Sequence, residues 1–174
     1  QPAIATDQAA LDVLHSSLSD RDWTFASANT REGTHAAHPY PAKFIPQIPR
    51  ALIEALHPGD DTAVLDPFCG SGTTLVEAAA AGLPAVGIDL HPLACLISKV
   101  KITPLRCSLE DAASAVLNRV SVAPIPDIPR VDHWFAAPVQ LALAGIIASI
   151  DRESRADVRD ALRVAFSSIV VRVS

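Results

Sequence analysis

Several classes of protein are excluded by what this chain of 174 residues lacks. Its three cysteines, Cys69, Cys95 and Cys107, are odd in number and form no Cys-x-x-Cys pair, so neither a disulfide framework nor a zinc site is indicated. Apolar stretches such as Leu141 to Ile150 are too short to span a bilayer, and no signal-peptide pattern follows Gln1. We expect a cytoplasmic domain with no metal site and no membrane association. Because the chain does not begin with Met, we expect a portion of a longer protein.

Basic residues are also in the minority. The chain has 14 Lys and Arg against 19 Asp and Glu, which gives a net charge of −5. Phosphate contacts need clustered Lys and Arg, so this segment alone is not expected to wrap a nucleic acid. Its hydrophobic content of 49% is sufficient for a buried core.

The most informative feature is a glycine-rich turn between an apolar segment and a helical one. Val64-Leu65-Asp66 predicts a short buried strand, Gly70-Ser71-Gly72-Thr73-Thr74 a tight turn, and Leu75 to Ala81 a helix of small residues. Pro84 to Ile88 predicts the next strand, and Asp89 follows it. A strand, a glycine loop, a helix and an acid after the second strand are typical of the adenosine-binding half of a Rossmann-like unit.

Three cofactor classes compete for this loop, beside an ordinary turn that binds nothing. A nucleotide-triphosphate P-loop needs a Lys after its last glycine, but no Lys occurs between Lys43 and Lys99. A dinucleotide fingerprint needs a third glycine where Leu75 stands. S-adenosylmethionine (SAM) needs close backbone approach and donors at the helix start for its carboxylate. Asp66 suits its ammonium group, and Asp89 is placed to accept both ribose hydroxyls, so the joint pattern favours SAM.

These residues resemble a known family. Asp66-Pro67-Phe68-Cys69-Gly70-Ser71-Gly72-Thr73-Thr74 is similar to the SAM motif of DNA amino-methyltransferases, which methylate adenine-N6 or cytosine-N4. The segment from His38 to Pro46 resembles the family's other cofactor motif, which precedes the first strand in one of its circular orders. Gly87 to Pro92 resembles its ribose-binding strand end. The resemblance is dense from His38 to Lys101 and thin elsewhere.

The resemblance implies a Rossmann-like α/β methyltransferase fold, incomplete in this chain, with SAM as cofactor and DNA as partner. It implies cytosine-N4 slightly ahead of adenine-N6 as the target, main DNA contacts outside this segment, and a restriction enzyme as a further partner. The implied cofactor-binding residues are Tyr40, Lys43, Phe44, Asp66, Pro67, Phe68, Gly70, Ser71, Gly72, Thr73, Thr74, Asp89, Leu90 and His91.

Several of these residues keep a second interpretation. Lys43 can bind the cofactor carboxylate, bind a DNA phosphate, or simply be solvated. Tyr40 and Phe44 can line the methionine pocket or pack as ordinary aromatics. His91 can lie beside the adenine ring or cap the following helix.

The residues that would use the methyl donor are not found. In the resembled family an Asp/Ser/Asn-Pro-Pro-aromatic motif holds the exocyclic amine of a flipped base, and no Pro-Pro dipeptide occurs here. We expect either that the chain stops before the catalytic strand, which is favoured, or that the domain has lost its chemistry and regulates a partner. RNA or small-molecule methylation is a further alternative. Cytosine-C5 chemistry needs a Cys after a proline, which none of the three cysteines is.

Local signals predict the remaining layout in three segments: an N-terminal helix and loop over 1–37, a SAM-binding core over 38–122, and a proline spacer with C-terminal helices over 123–174. Helices are expected from Thr6 or Asp7 to Leu18, from Pro46 to Leu56 (closed by His57 to Asp60), and from Pro92 to Lys101. Further helices are expected after Ser108, which pairs with Asp111 as a cap, and over Pro138–Ile150 and Ser154–Ile169. Prolines 124, 126 and 129 make residues 123–130 a stiff spacer.

Overall fold

A computed structural model of the chain describes residues 8–41, 43–56 and 62–174. The described residues form a helix-rich α/β structure with a small parallel sheet. They divide into two compact units. The first contains residues up to Ala36 together with Pro41–Ser98, and the second contains Ala37–Tyr40 together with Lys99–Ser174.

The sheet consists of β1 (Val64–Asp66) and β2 (Ala85–Gly87), which run parallel with Leu65 opposite Val86 and Asp66 opposite Gly87. Helix α3 (Thr73–Ala80) connects them, as parallel strands require a crossover. Gly82, at φ +76°, follows the end of α3 in the left-handed region. The α/β class is therefore confirmed. The part of the chain that the structure describes holds a sheet of these two strands, which is consistent with only part of a methyltransferase fold.

The other α-helices of the first unit agree with the sequence to within one or two residues, whereas its 3-10 helix lies in a stretch that was predicted to be a loop. The helices are α1 (Gln8–Ser19), a 3-10 helix (Gly33–Ala36), α2 (Gln47–Leu56) and α4 (Pro92–Ile102), the last of which extends into the second unit. The predicted cap at Thr6 or Asp7 and the predicted stop at His57 to Asp60 lie outside the described residues.

The second unit is helical. It contains α5 (Leu109–Asn118), α6 (Val131–Trp134), α7 (Ala137–Asp151) and α8 (Ala156–Val170). The Ser108 cap is confirmed, because the Ser108 hydroxyl accepts a hydrogen bond from Asp111 N at 3.1 Å. Residues 123–130 form neither helix nor strand, as the prolines predict, and the one-turn helix α6 was not foreseen. Val116, Ile150, Val158 and Leu162 form the buried core of this unit.

In the described part of the chain, no helix is both long and apolar enough to cross a membrane.

Candidate functional site

The carboxyl ends of β1 and β2 bring the predicted loop and the two predicted acids together. Ile88 N donates to Asp66 O, and Cys69 N donates to Ile88 O, each at 2.9 Å. The backbone segments that follow the two strands therefore remain paired beyond the strand ends. Gly72 N then donates to Cys69 O at 2.7 Å, which closes the turn that leads into α3. In open parallel sheets, this end of the strands is where ligands bind.

Asp89 is hydrogen-bonded to the glycine loop. Its Oδ2 accepts from Gly70 N at 2.9 Å, and its Oδ1 accepts from His91 N at 2.8 Å. The backbone donors of His91 and Gly70 hold the pKa of Asp89 below its usual value, so this carboxylate is ionised at neutral pH. Each carboxylate oxygen has more than one lone pair, and Asp89 can therefore accept further hydrogen bonds from a ligand.

Asp66 has a local bond as well. Its Oδ1 accepts from Phe68 N at 3.1 Å, which fixes the start of the turn after β1. Asp66 itself is partly exposed, and Pro67 beside it is exposed. Two apolar side chains, Phe68 and Leu90, follow the two strand ends with 87% and 100% of their surface exposed. This combination of two acids and two uncovered apolar side chains provides both polar and stacking contacts for a ligand.

Gly72 is required by the backbone and by a neighbouring helix. Its φ is +79°, and a Cβ placed on it would lie 2.6 Å from Ser98 Cβ and 2.9 Å from Ser98 Cα. Helix α4 therefore approaches Gly72 closely, whether or not the loop holds a ligand. This contact with α4 was not predicted from the sequence.

Ser71 and Thr73 are buried, with 2% and 4% of their surface exposed, while Thr74 is half-buried. Gly72 caps α3 without a side-chain hydrogen bond. The first N–H groups of any α-helix have no carbonyl partner within the helix. The loop can therefore offer backbone donors to an anionic group, whereas the Ser71 and Thr73 side chains belong to the interior.

Lys43 lies on the rim of a cleft of about 150 Å³ that Phe44 and Thr73 also line. Its Nζ donates to the carbonyl of His35 at 2.9 Å. Phe44 and Thr74 additionally line an apolar cavity of about 450 Å³ beside α2. Tyr40 belongs to the second unit, and its role in a cofactor site stays a prediction.

A buried ion cluster lies behind this cleft. The Glu77 carboxylate, on α3, accepts from Arg50 Nε at 2.7 Å, from Arg50 Nη2 at 3.2 Å and from His35 Nε2 at 2.8 Å. Glu77 and His35 are nearly inaccessible, with 2% and 4% of their side chains exposed, whereas Arg50 keeps 42%. Burial raises the pKa of Glu77, but the hydrogen bonds from Arg50 and His35 outweigh it and leave the pKa below its usual value.

This cluster was missed at the sequence level. His35 and Arg50 are separated from Glu77 by 42 and 27 residues, and local patterns do not report such contacts. One signal was available. Glu77 is the one charged residue in the otherwise uncharged helix Thr73–Ala80, and a charge among small apolar residues indicates a buried partner.

Cys69 lies in a setting that disfavours the thiolate form. Its side chain is buried, and burial raises the pKa of its thiol, which keeps it protonated at neutral pH. The described residues also contain no group of three or more His, Cys, Asp or Glu side chains arranged to hold a metal ion.

Comparison with known proteins gives the following matches. A family model described as DNA methylase matches residues 10–100. Over 97% of its length, the chain is 34% identical to the type II methyltransferase M.MvaI of Kocuria varians, and the match covers 41% of that protein. Over 48% of the chain, it is 41% identical to the type II methyltransferase M.MjaII of Methanocaldococcus jannaschii, covering 16% of that protein.

A shorter match extends to an RNA enzyme. Over 29% of its length, the chain is 35% identical to the tRNA (guanine(10)-N2)-dimethyltransferase of Methanocaldococcus jannaschii, and the match covers 14% of that protein. The chain thus spans about two fifths or less of the length of these curated relatives. No solved structure matches the chain.

Proposed function

This chain belongs to the DNA methylase family, and we propose that it is the SAM-binding part of a longer DNA amino-methyltransferase. The observation that carries the proposal is the hydrogen bond from Gly70 N to Asp89 Oδ2, at 2.9 Å. Through it, the glycine loop after β1 and the acid after β2 form one continuous rim at the carboxyl end of a parallel sheet. A rim of this kind is where an adenosine cofactor is bound in Rossmann-like proteins.

The residues on this rim fit the chemical groups of SAM. Asp89 is ionised and exposed on one side, which suits two ribose hydroxyls that each donate a hydrogen bond. Asp66 has a second carboxylate oxygen beyond the one bonded to Phe68 N and can pair with the ammonium group. The backbone N–H of Thr73, at the start of α3, and the ammonium of Lys43 suit the carboxylate.

Leu90 and His91 follow Asp89 in the chain, and Phe68 precedes Cys69, whose N–H is bonded to Ile88 O. We propose that these three side chains contact the adenine ring. Phe68 and Leu90 are the most exposed large apolar side chains of this region, and covering them with a flat ring removes apolar surface from water. His91 gives its backbone N–H to Asp89, which leaves its imidazole able either to contact the adenine ring or to cap the following helix.

Bound SAM would supply an activated methyl group. The residues of this chain would hold and orient SAM. They would not act on the target base, because no Asp/Ser/Asn-Pro-Pro-aromatic motif occurs in the 174 residues. We propose that the rest of the protein supplies the residues that accept the amine's hydrogens, together with the basic surface that contacts DNA, because this chain carries a net charge of −5. The proposed target is cytosine-N4 ahead of adenine-N6, and a restriction enzyme of matching specificity is a proposed partner.

The proposal is tested by calorimetry of the chain with SAM. The unsubstituted chain should bind, and Asp89→Ala should weaken binding at least about tenfold through the lost charge-assisted hydrogen bonds. Asp127→Ala is a charge-matched control, because Asp127 is exposed in the spacer of the other unit. No detectable binding by the unsubstituted chain would remove the basis of the proposal. Unchanged affinity in Asp89→Ala would remove the ribose assignment alone.

A second measurement separates the cofactor function from catalysis. Incubated with DNA and methyl-labelled SAM, the 174-residue chain should transfer no label, although it binds the cofactor. Transfer by this chain would contradict the division of labour proposed here. In the complete protein, a Pro-Pro-aromatic motif with methylation of DNA supports the enzyme, whereas its absence supports a catalytically silent SAM-binding module.

RNA methylation is a second candidate, favoured by the match to the tRNA dimethyltransferase over 51 residues. The same labelling assay with the complete protein distinguishes the two. Label in tRNA but not in DNA would favour the RNA enzyme.

A further inference from the structure

We infer that Glu77 is a positioning residue that sets Lys43 at the carboxylate end of the cofactor, through His35. The inference rests on the proposed SAM function of the loop. Glu77 itself would touch no part of the cofactor. It acts because His35 is bonded to Glu77 by its side chain and to Lys43 by its own carbonyl, at 2.8 and 2.9 Å.

Helix α3 carries both Thr73 and Glu77. Thr73 and Glu77 are four residues apart and therefore lie on the same face of this helix, one turn from each other. Thr73 lines the 150 Å³ cleft, and Glu77 is buried directly below it with its three hydrogen bonds. A buried carboxylate is costly unless it is paired, so Glu77 strongly favours the arrangement in which His35 and Arg50 stay in place.

His35 lies in the 3-10 helix Gly33–Ala36. A four-residue 3-10 helix has weak internal hydrogen bonding and does not hold its own position. Its anchor is the buried His35 side chain, 4% exposed, on Glu77. Because the His35 carbonyl belongs to the same residue, fixing the ring also fixes the acceptor that holds the Lys43 ammonium.

The cleft that Lys43 lines is small. A volume of about 150 Å³ is well below that of a pocket for a whole small-molecule ligand, which is roughly 300 Å³ or more. It can hold a charged end group, and its polar lining consists of Lys43, His35, Thr73 and Thr30. Lys43 is the cation of this lining, and its long side chain loses less freedom on binding an anion when the His35 carbonyl already restrains it.

The test compares two probes by calorimetry: SAM, and 5′-methylthioadenosine, which keeps the adenosine part but lacks the amino-acid end. The unsubstituted chain should prefer SAM, and Lys43→Met should reduce that preference about tenfold while leaving 5′-methylthioadenosine affinity unchanged. His35→Ala keeps the backbone carbonyl but removes the anchor, and it should reduce the preference about threefold or more. Glu77→Gln should do the same, and His35→Gln, which retains a donor, should restore most of it.

The double variant Lys43→Met with His35→Ala distinguishes positioning from general loosening. Positioning predicts no further loss of preference beyond Lys43→Met, because the group being positioned is gone. A preference that is unchanged in His35→Ala but lost in Lys43→Met would overturn the inference. Equal losses of both probes would also overturn it, since they indicate a structural role. If Glu77→Gln fails to fold, the comparison of His35→Ala with His35→Gln still tests whether His35 positions Lys43. If the unsubstituted chain binds neither probe, the proposed function itself fails.

Discussion

Gly72→Ala should destabilise the chain by more than the left-handed backbone alone explains. The substitution introduces a side chain at φ +79°, which costs about 1–2 kcal/mol for an L-residue. It also places a Cβ 2.6 Å from Ser98 Cβ and 2.9 Å from Ser98 Cα, and a backbone Cα within a helix cannot move aside as a flexible side chain can. Overpacking of this kind typically reduces the free energy of unfolding by a further ~1–3 kcal/mol.

Gly82→Ala provides the matched control. Gly82 has nearly the same backbone conformation, φ +76°, but nothing lies within 4 Å of a Cβ placed there. Urea unfolding of the two variants should therefore give a loss of about 1–2 kcal/mol for Gly82→Ala and about 2–5 kcal/mol for Gly72→Ala. The difference between them isolates the contact with Ser98. Equal losses in the free energy of unfolding would refute the packing argument and return Gly72 to a purely conformational role.

Two further predictions concern charge and capping. The folded pKa of Glu77 lies below its ordinary value of 4.5, so its ion cluster contributes full stability above that pH and loses it as pH falls through the folded pKa. Thermal midpoints of the unsubstituted chain and Glu77→Gln should thus converge below about pH 4.5, and a constant gap would contradict the assignment. Ser108→Ala should cost about 1 kcal/mol in chemical denaturation through loss of the bond to Asp111 N. Ser114→Ala, at an exposed position inside the same helix, should cost nothing, and equal effects would disprove the cap.

The local parts of this structure were accessible from the sequence. Periodicity, prolines and the Ser108 signal predicted the helices to within one or two residues, because each depends on neighbours in the chain. The resemblance to DNA amino-methyltransferases is confirmed by the match over residues 10–100. The short helix Val131–Trp134 escaped because a single turn carries no periodicity, and its start is an Arg130 at φ +60°, a conformation that no local residue choice announced.

The parts that depend on distant contacts were not accessible. The reason for Gly72 is a helix that begins twenty residues later in the chain, and nothing in the loop names Ser98 as its neighbour. The cluster around Glu77 joins three segments, and its members are individually ordinary: a His in a loop, an Arg on one helix and a Glu on another. Such contacts are set by packing of the whole unit, which sequence patterns of a few residues do not encode.

The Glu77 cluster also bears on the order in which the segments are joined. His35 and Arg50 contact Glu77 through side-chain hydrogen bonds. Neither hydrogen bond depends on the peptide segment that connects α2 to β1. A chain in which the segment with His35 and Arg50 follows the sheet rather than precedes it could therefore assemble the same contacts. The buried Glu77 carboxylate selects this segment because the segment carries the two side chains that pair with it. Circular permutation of the gene would change the order of the segments along the chain, and the Glu77 cluster would keep the same contacts.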